Sequence, residues 1–211
     1  MMLQKLLADF CRRKYFGGHS SPVQIGVYRP SVLSWSCSRK QWNYYKNFHG
    51  KTSDEIPDEV ILLLAGGVVF HRLIQNLTSE GRRFWDRVEI ECSMEVQLTS
   101  GVILIVGHAD AIKDGRVYEF KHTRVIPPKP KFEHLLQLNF YLKALKCLEG
   151  SLIYSGYTSE GGLGIKEFQT IISNWHVQHL INRAETLHYL LISDTPPRCS
   201  CRDHRHEIEV L

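Results

Sequence analysis

The chain lacks most of the features that mark a specialised protein. Six cysteines in 211 residues are too sparse for a disulfide-dense secreted scaffold, and a chain of this length buries enough apolar surface to fold without one. The longest apolar run, Val60 to Phe70, is interrupted by Gly66-Gly67 and falls well short of the roughly 20 residues that a membrane-spanning helix needs. Neither charge sign dominates: 26 Lys+Arg against 22 Asp+Glu give +4, which permits a polyanionic partner without demanding one. There is no internal repeat and no low-complexity tract. At 43% hydrophobic and 23% charged residues, the composition excludes a disordered or collagen-like chain. The opening stretch MMLQKLLADFCRRKY has an acid in its middle and its basic residues after the apolar part, the reverse of a secretory signal. The expectation is a single domain over residues 1–211, in the cytoplasm and away from membranes, with thiols reduced or metal-bound.

What is present is an ordered series of periodic segments. Residues 2–16 have helical spacing, and Gly17, Gly18, Ser20, Ser21 and Pro22 break it. Pro30-Ser31 opens a helical segment to about Phe48, rich in Trp35, Trp42, Tyr44 and Tyr45. Another follows Pro57, with Asp58 and Glu59 in its first turn, and runs to about Leu77. Strands are expected at 86–98, 101–113 and 116–124. Pro127, Pro128 and Pro130 form a stiff connector, after which a helix over 131–148, strands over 151–157 and 164–172, and a helix over 174–192 complete a mixed α/β domain.

The segment VILIVGHADAIKDGRVYEFKHT, Val102 to Thr123, carries the chemistry. Asp114-Gly115 is a strong signal for a two-residue hairpin loop, because both positions need φ > 0. With Lys113 opposite Arg116, Asp110 falls opposite Glu119 and His108 opposite Lys121, the acids roughly 4.5–5.5 Å apart at Cβ. Glu119 and Lys121 share a face. Facing carboxylates repel, and a divalent cation between them removes the conflict; oxygen ligands suit Mg²⁺ or Mn²⁺. Lys121 could then orient a water or neutralise charge at phosphorus. The plain alternative is a solvent-facing strand edge with Asp, Glu and Lys in surface pairs. His71 and Gln75 lie one turn apart on the helix after Gly66-Gly67, and Gln137 and Tyr141 one turn apart in QLNFY.

In order, His71, then Gly107-His108-Ala109-Asp110, then Glu119-Phe120-Lys121, then Gln137-Leu138-Asn139-Phe140-Tyr141 resemble the RecB-like branch of the PD-(D/E)XK nuclease superfamily. The four motifs span about 70 residues. Ser31-Val-Leu-Ser-Trp-Ser-Cys37-Ser-Arg39-Lys40 is similar to the N-terminal signature of the CRISPR-associated, iron–sulfur RecB-like exonucleases. Pro196-Pro197-Arg198-Cys199-Ser200-Cys201 matches the place of that family's C-terminal cysteine cluster. The sequence departs from the pattern in having Ser38 where the family has proline, and C-x-C with no later cysteine.

The resemblance implies a restriction-endonuclease-like core, a mixed central sheet flanked by helices. Its helical N-terminal segment (about 1–50) would be stapled to the tail (about 195–211) by a metal cluster. It implies a metal-dependent DNA exonuclease, favouring single strands or frayed ends and acting 5′ to 3′, that processes DNA ends in CRISPR spacer acquisition beside integrase proteins. An oligomer is compatible with it. His71, Asp110, Glu119 and the Phe120 carbonyl would hold Mg²⁺ or Mn²⁺. Lys121 would act on the attacking water, and Gln137 and Tyr141 would contact DNA or steady Lys121. Cys37, Cys199 and Cys201 would hold a 2Fe–2S or 4Fe–4S cluster, or zinc, with His206, His204 or Cys11 as fourth ligand. Arg39, Lys40 and Tyr141 would bind DNA, together with basic residues such as Arg72, Arg124, Lys129 and Lys131, while Trp35, Trp42, Tyr44 and Tyr45 either stack on bases or belong to the core. Cys92 and Cys147 read as packing residues. Two other readings stand beside this one: a non-catalytic DNA-end-binding adaptor of an integrase complex, and a recombination, repair or viral exonuclease unconnected to CRISPR.

Overall fold

Helices come first and the sheet follows in the computed structural model, which describes residues 2–16, 24–47 and 57–199. The first part holds α1 (Met2–Cys11) with a π-helical turn after it, β1 (Val27–Tyr28), α2 (Pro30–Leu33), α3 (Ser38–Asn47) and α4 (Asp58–Gln75). A small ribbon, β2 (Thr78–Ser79) and β3 (Arg82–Arg83), leads to β4 (Arg87–Leu98), β5 (Gly101–Lys113) and β6 (Arg116–Val125). Then come α5 (Phe132–Ala144), β7 (Glu149–Tyr157), β8 (Leu163–Ile171) and α6 (Asn174–Ile192). The expected strands and the later helices are present, with ends shifted by a few residues.

The helical segment expected from Pro30 to Phe48 is two helices instead. Pro30 starts α2 where its missing N–H costs nothing. The break after Leu33 is tolerated because buried donors take the freed carbonyls. Arg183 Nη1 donates to the carbonyls of Leu33, Ser34 and Trp35 at 3.2, 2.9 and 2.9 Å, and Gln41 Nε2 to those of Leu33 and Trp35 at 3.0 and 2.7 Å. An intrahelical ladder is thus replaced by side chains, as a chain end inside a protein requires. Ser173 caps α6 by accepting from the His176 N–H.

Asp114 and Gly115 have φ of 50° and 74°, the pair of left-handed residues that a two-residue loop needs, and Lys113 pairs with Arg116 as expected. The main sheet has six strands in the order β1-β5-β6-β7-β8, with β4 on the other edge of β5. Alternation puts Val117, Leu152 and Tyr154 into a large core with α5, α6, α2 and α3. Tyr118, Phe120 and Ile153 point the other way, into a smaller core with Phe70 and Ile74 of α4 and Trp85. The far side of α4 packs on α1 through Ile61, Ala65, Ala8 and Cys11. The result is a mixed α/β architecture with the sheet between helices on both faces. Gly66 lets α4 sit low on β6: a Cβ there would stand 3.2 Å from His122 Nε2.

Strand β5 is forked on one edge. β1 pairs with it in parallel at Leu104 and Ile105, and β6 in antiparallel fashion from Ala111 to Lys113. Between these contacts the edge has no strand neighbour among the described residues, and a cavity of about 500 Å³ lies there, lined by Arg29, Pro30, Ser31, Gly107, His108 and Tyr141 among others. A Cβ on Gly107 would lie 2.7 Å from Pro30 Cγ and 3.1 Å from Tyr141 Cε1. Gly107→Ala is therefore expected to destabilise the fold by about 1–3 kcal/mol, the usual cost of overpacking. Thermal unfolding would register this as a drop of several degrees, and an unchanged melting temperature would show that Pro30 and Tyr141 do not pack tightly on this strand.

Candidate active site

The regular sheet lets go at Asp110. On one edge the ladder with β4 runs through Val88–Ala111 and resumes at Ile90–Ala109, leaving out Glu89 opposite Asp110. Glu89 has φ of 51°, a strained value for a residue with a side chain. On the other edge, pairing with β6 stops at Ala111–Tyr118, one step before Asp110 would meet Glu119. Alternation also slips. Ala109 packs in the large core and Ala111 in the small one, although residues two apart on a regular strand share a face.

Side chains replace the missing ladder. Asp110 Oδ2 accepts the Phe120 N–H at 2.6 Å, standing in for a strand carbonyl. Asp110 Oδ1 lies 3.2 Å from His71 Nδ1. Gln75, one turn further along α4, donates to the Asp110 carbonyl at 3.3 Å and to the Glu89 carboxylate. The helix pair His71/Gln75 thus grips the broken point of β5 from above.

Glu119 and Lys121 share a face of β6, as their spacing requires. Lys121 Nζ donates to Glu119 Oε1 at 2.7 Å and to Gln137 Oε1 at 2.7 Å, and Gln137 Nε2 donates to the Tyr141 hydroxyl at 3.0 Å. One chain of contacts therefore runs from the acid through Lys121 to α5. Its far end is well fixed, since Tyr141 is only 2% exposed and burial drives its hydroxyl pKa far up.

Glu119 is 2% exposed, and its second oxygen, Oε2, is buried with no hydrogen-bond partner. Burial first, and then the negative charge of Asp110, push its pKa up to about 8. Burial disfavours a charge on His71, but the hydrogen bond and charge of Asp110, with Glu119 behind it, outweigh this and raise its pKa. The Glu119 shift marks deep burial beside a second acid, and the His71 shift marks the negative charge of that pair. The donor set of two carboxylates, one of them with a buried oxygen that has no partner, and an imidazole fits a divalent cation. In a strand the N–H and C=O of one residue point the same way, so the Phe120 carbonyl also faces the gap into which its N–H donates. Among the described residues, no three His, Cys, Asp or Glu side chains already close around one point. Asp110 is engaged by His71 and Phe120, and Glu119 by Lys121, so a cation must draw these groups inward.

Several sequence expectations come out differently. His108 is not opposite Lys121, because the strands have parted by then; it pairs with Glu91 on β4, with Nε2 3.7 Å from Oε2. Tyr141 offers no exposed ring to DNA and instead packs beneath Gly107. Tyr44 and Tyr45 are buried, and Trp35 and Trp42 pack against the large core; the Trp42 indole donates to the Leu190 carbonyl. Arg39 and Lys40 lie over the rings of Trp42 and Trp35, at 5.4 and 4.8 Å. Sequence reasoning missed Glu89, because a glutamate in the alternating run RVEIECSMEV carries no sign of a left-handed residue. It also missed the cavity residue Arg29, and it gave Ser31 only as part of the N-terminal signature.

Of the cysteines, Cys37 is buried just before α3 and Cys199 is half-buried. Arg39 Nη1 donates to the Pro197 carbonyl at 3.4 Å, bringing the segment before Cys199 to the start of α3. Cys201, His204 and His206 lie outside the described residues. Cys11 packs with Ala8, Ile61 and Ala65 between α1 and α4. Cys92 is in the large core, its thiol pushed up to about 11 by burial, and Cys147 packs against that core.

No family model matches the chain, and no curated protein does. Among solved structures, that of SSO0001 superposes with a TM-score of 0.59 over 89% of this chain and 87% of that one, at 18% identity, a likeness of fold. A phage-related exonuclease from Haemophilus somnus 129PT has a TM-score of 0.42 at 12% identity, covering 74% of this chain and 81% of that one. The alkaline exonuclease of Laribacter hongkongensis, in complex with dAMP, also has a TM-score of 0.42, at 9% identity over 81% and 90% of the two chains. No helix of the described residues is long and apolar enough to cross a membrane.

The raised pKa of Glu119 has a defined consequence for stability. Folding favours its protonated form, so this contribution is fully present below the unfolded value near 4.5 and is lost as pH rises through about 8. In EDTA the melting temperature should fall between pH 5 and pH 8.5, and Glu119→Gln, neutral throughout, should flatten that fall. Parallel pH profiles for the two proteins would show that Glu119 is not the group responsible.

Proposed function

We propose that the protein is a divalent-metal-dependent deoxyribonuclease that hydrolyses phosphodiester bonds from DNA ends, with its centre at Asp110, Glu119 and Lys121. The observation that carries this is Glu119: a carboxylate inside the fold, beside a second acid, with one oxygen on a lysine and the other on nothing. A purely structural role would leave that oxygen a persistent cost. His71, Asp110, Glu119 and the Phe120 carbonyl would hold Mg²⁺ or Mn²⁺, which when bound polarises the scissile phosphate and lowers the pKa of an attacking water.

The chain's own groups do the positioning. Asp110 is oriented by the Phe120 N–H and His71. Lys121 is held between Glu119 and Gln137, where its ammonium orients the water or offsets charge developing on the phosphate oxygens. Gln137, braced by Tyr141, keeps Lys121 aimed at that point. The cavity beside Gly107 and His108 opens two to three residues before Asp110 on β5 and is where an incoming strand would lie.

The narrower reading follows the motif resemblance: trimming of single-stranded or frayed ends, 5′ to 3′, during CRISPR spacer acquisition beside an integrase. In it Cys37, Cys199, Cys201 and a histidine of the tail hold an iron–sulfur or zinc staple. The contact of Arg39 with Pro197 supports the staple, since it holds the tail segment beside the start of α3.

The deciding experiment is cleavage of end-labelled single-stranded DNA with Mg²⁺, Mn²⁺ or EDTA. Asp110→Ala should reduce metal-dependent cleavage to background, and Lys121→Ala should slow it by roughly 10²–10³-fold, with DNA binding largely retained in both. Silence from folded, metal-supplied wild type would leave a DNA-end-binding adaptor in place of an enzyme. For the staple, Cys37→Ser should lose bound iron or zinc and lower the melting temperature, because a structural metal contributes folding energy. Unchanged metal content in that variant would remove Cys37 from the ligand set.

A further inference from the structure

Resting on the nuclease reading, we propose that Trp175 and Phe132 form a base-stacking platform that receives the unpaired bases of single-stranded DNA on their way to the Asp110–Glu119 site. The aromatic residues first suggested for such a role do not fill it, since those of α3 and its flank are core or core-packed. Trp85 is likewise buried, whereas Trp175 is 62% exposed and Phe132 is 37% exposed.

These rings are held in place. Phe132 begins α5 and Trp175 lies in the first turn of α6, and their ring centroids are 5.7 Å apart. His179, one turn on from Trp175, stacks against the indole at 5.4 Å and 25° and touches Phe132 at 5.3 Å. His176 closes the cluster, 5.0 Å from Trp175 and 5.7 Å from Phe132. The indole is therefore held by three rings, one of them stacked on it, and is still 62% exposed. Exposed aromatic surface of this kind is unfavourable in isolation and is characteristic of a binding face. Each nucleobase has a π-face to offer such a ring, which makes the contact indifferent to sequence.

Charge and chain continuity choose nucleic acid as the occupant. β6 carries Glu119 and Lys121 and continues to Arg124; the proline-stiffened connector then presents Lys129 and Lys131, and Phe132 follows at once. Arg124, Lys129 and Lys131 are exposed, and none has an acidic partner among the described residues. Glu133 is the one acid in this stretch; it is half-buried, and its charge bears on Tyr154 and Arg183. Phe132 precedes Gln137, the partner of Lys121, by five residues on α5, about 7–8 Å along the helix axis and on a different side of the helix. A backbone following the basic connector can thus run from the rings at its α5 end to β6, which bears Glu119 and Lys121, at its other end.

The test is binding of a fluorescent single-stranded oligonucleotide, and of a blunt duplex of equal length, in EDTA so that no cleavage intervenes. Trp175→Ala should weaken single-strand binding by about tenfold or more and abolish quenching of the exposed indole, with duplex binding little changed. Trp175→Tyr, which keeps a stacking ring, should restore most of the loss. Wild-type affinity in Trp175→Ala, as expected if the face docks a protein instead, overturns the proposal; so does an equal loss for single strand and duplex, or failure of the wild type to bind single strands. Because this readout involves no hydrolysis, it is separate from the cleavage test with Asp110→Ala, and either can fail alone.

Discussion

The geometry of the centre depends on one hydrogen bond, that from the Phe120 N–H to the Asp110 carboxylate. It allows β5 and β6 to part after Ala111 and Tyr118 without leaving a buried donor unpaired, which a sheet interior does not tolerate. Once they part, the edge of β5 between Ile105 and Ala111 is open, and the cavity at Gly107 and His108 exists because of that opening. The acid does two jobs with one side chain: Oδ2 repairs the sheet and Oδ1 faces His71. A neutral amide could keep the first role by accepting through its carbonyl, but would lose the negative charge that raises the pKa of His71 and adds to the effect of burial on Glu119.

The remainder of the centre is built from stiff elements, which suits a site whose groups must stay within fractions of an ångström of their working positions. His71 and Gln75 come from α4, Glu119 and Lys121 from β6, Gln137 and Tyr141 from α5. None of them sits on a loop. The acids are therefore approached from both faces of the sheet, by α4 on one side and by α5 on the other, and the two cores meet at this point.

Much of this was legible from residue order alone, for identifiable reasons. Asp114-Gly115 specifies a turn type, and the turn type sets the register of β5 and β6, which holds from Lys113–Arg116 to Ala111–Tyr118 and ends one step short of Asp110 and Glu119. The i, i+4 pairs His71/Gln75 and Gln137/Tyr141 do converge on the hairpin, since a helix repeats its face each turn. Counting fails where regularity ends. His108 was assigned to Lys121 on the assumption of an unbroken ladder, and the break at Asp110 sends it to Glu91 instead. The division of α2 from α3 was hidden for a related reason: it depends on Arg183, about 150 residues away, and no local pattern reports so distant a donor. The aromatic run of α3 was ambiguous because stacking platforms and cores use the same residue types, and only burial separates them.

Gly66 deserves to be seen in relation to His71, five residues along the same helix. The closeness of α4 to His122 sets the height at which the imidazole hangs over Asp110, much as a spacer sets the jaw of a calliper. A methyl group at this contact would lift that jaw by some tenths of an ångström. On the nuclease reading, this matters because a Mg²⁺ shell closes at about 2.0–2.1 Å and a Ca²⁺ shell at about 2.3–2.6 Å. The distinction between an ion that supports the reaction and one that merely occupies the site would then be written partly in a missing side chain, five residues from His71 on the same helix.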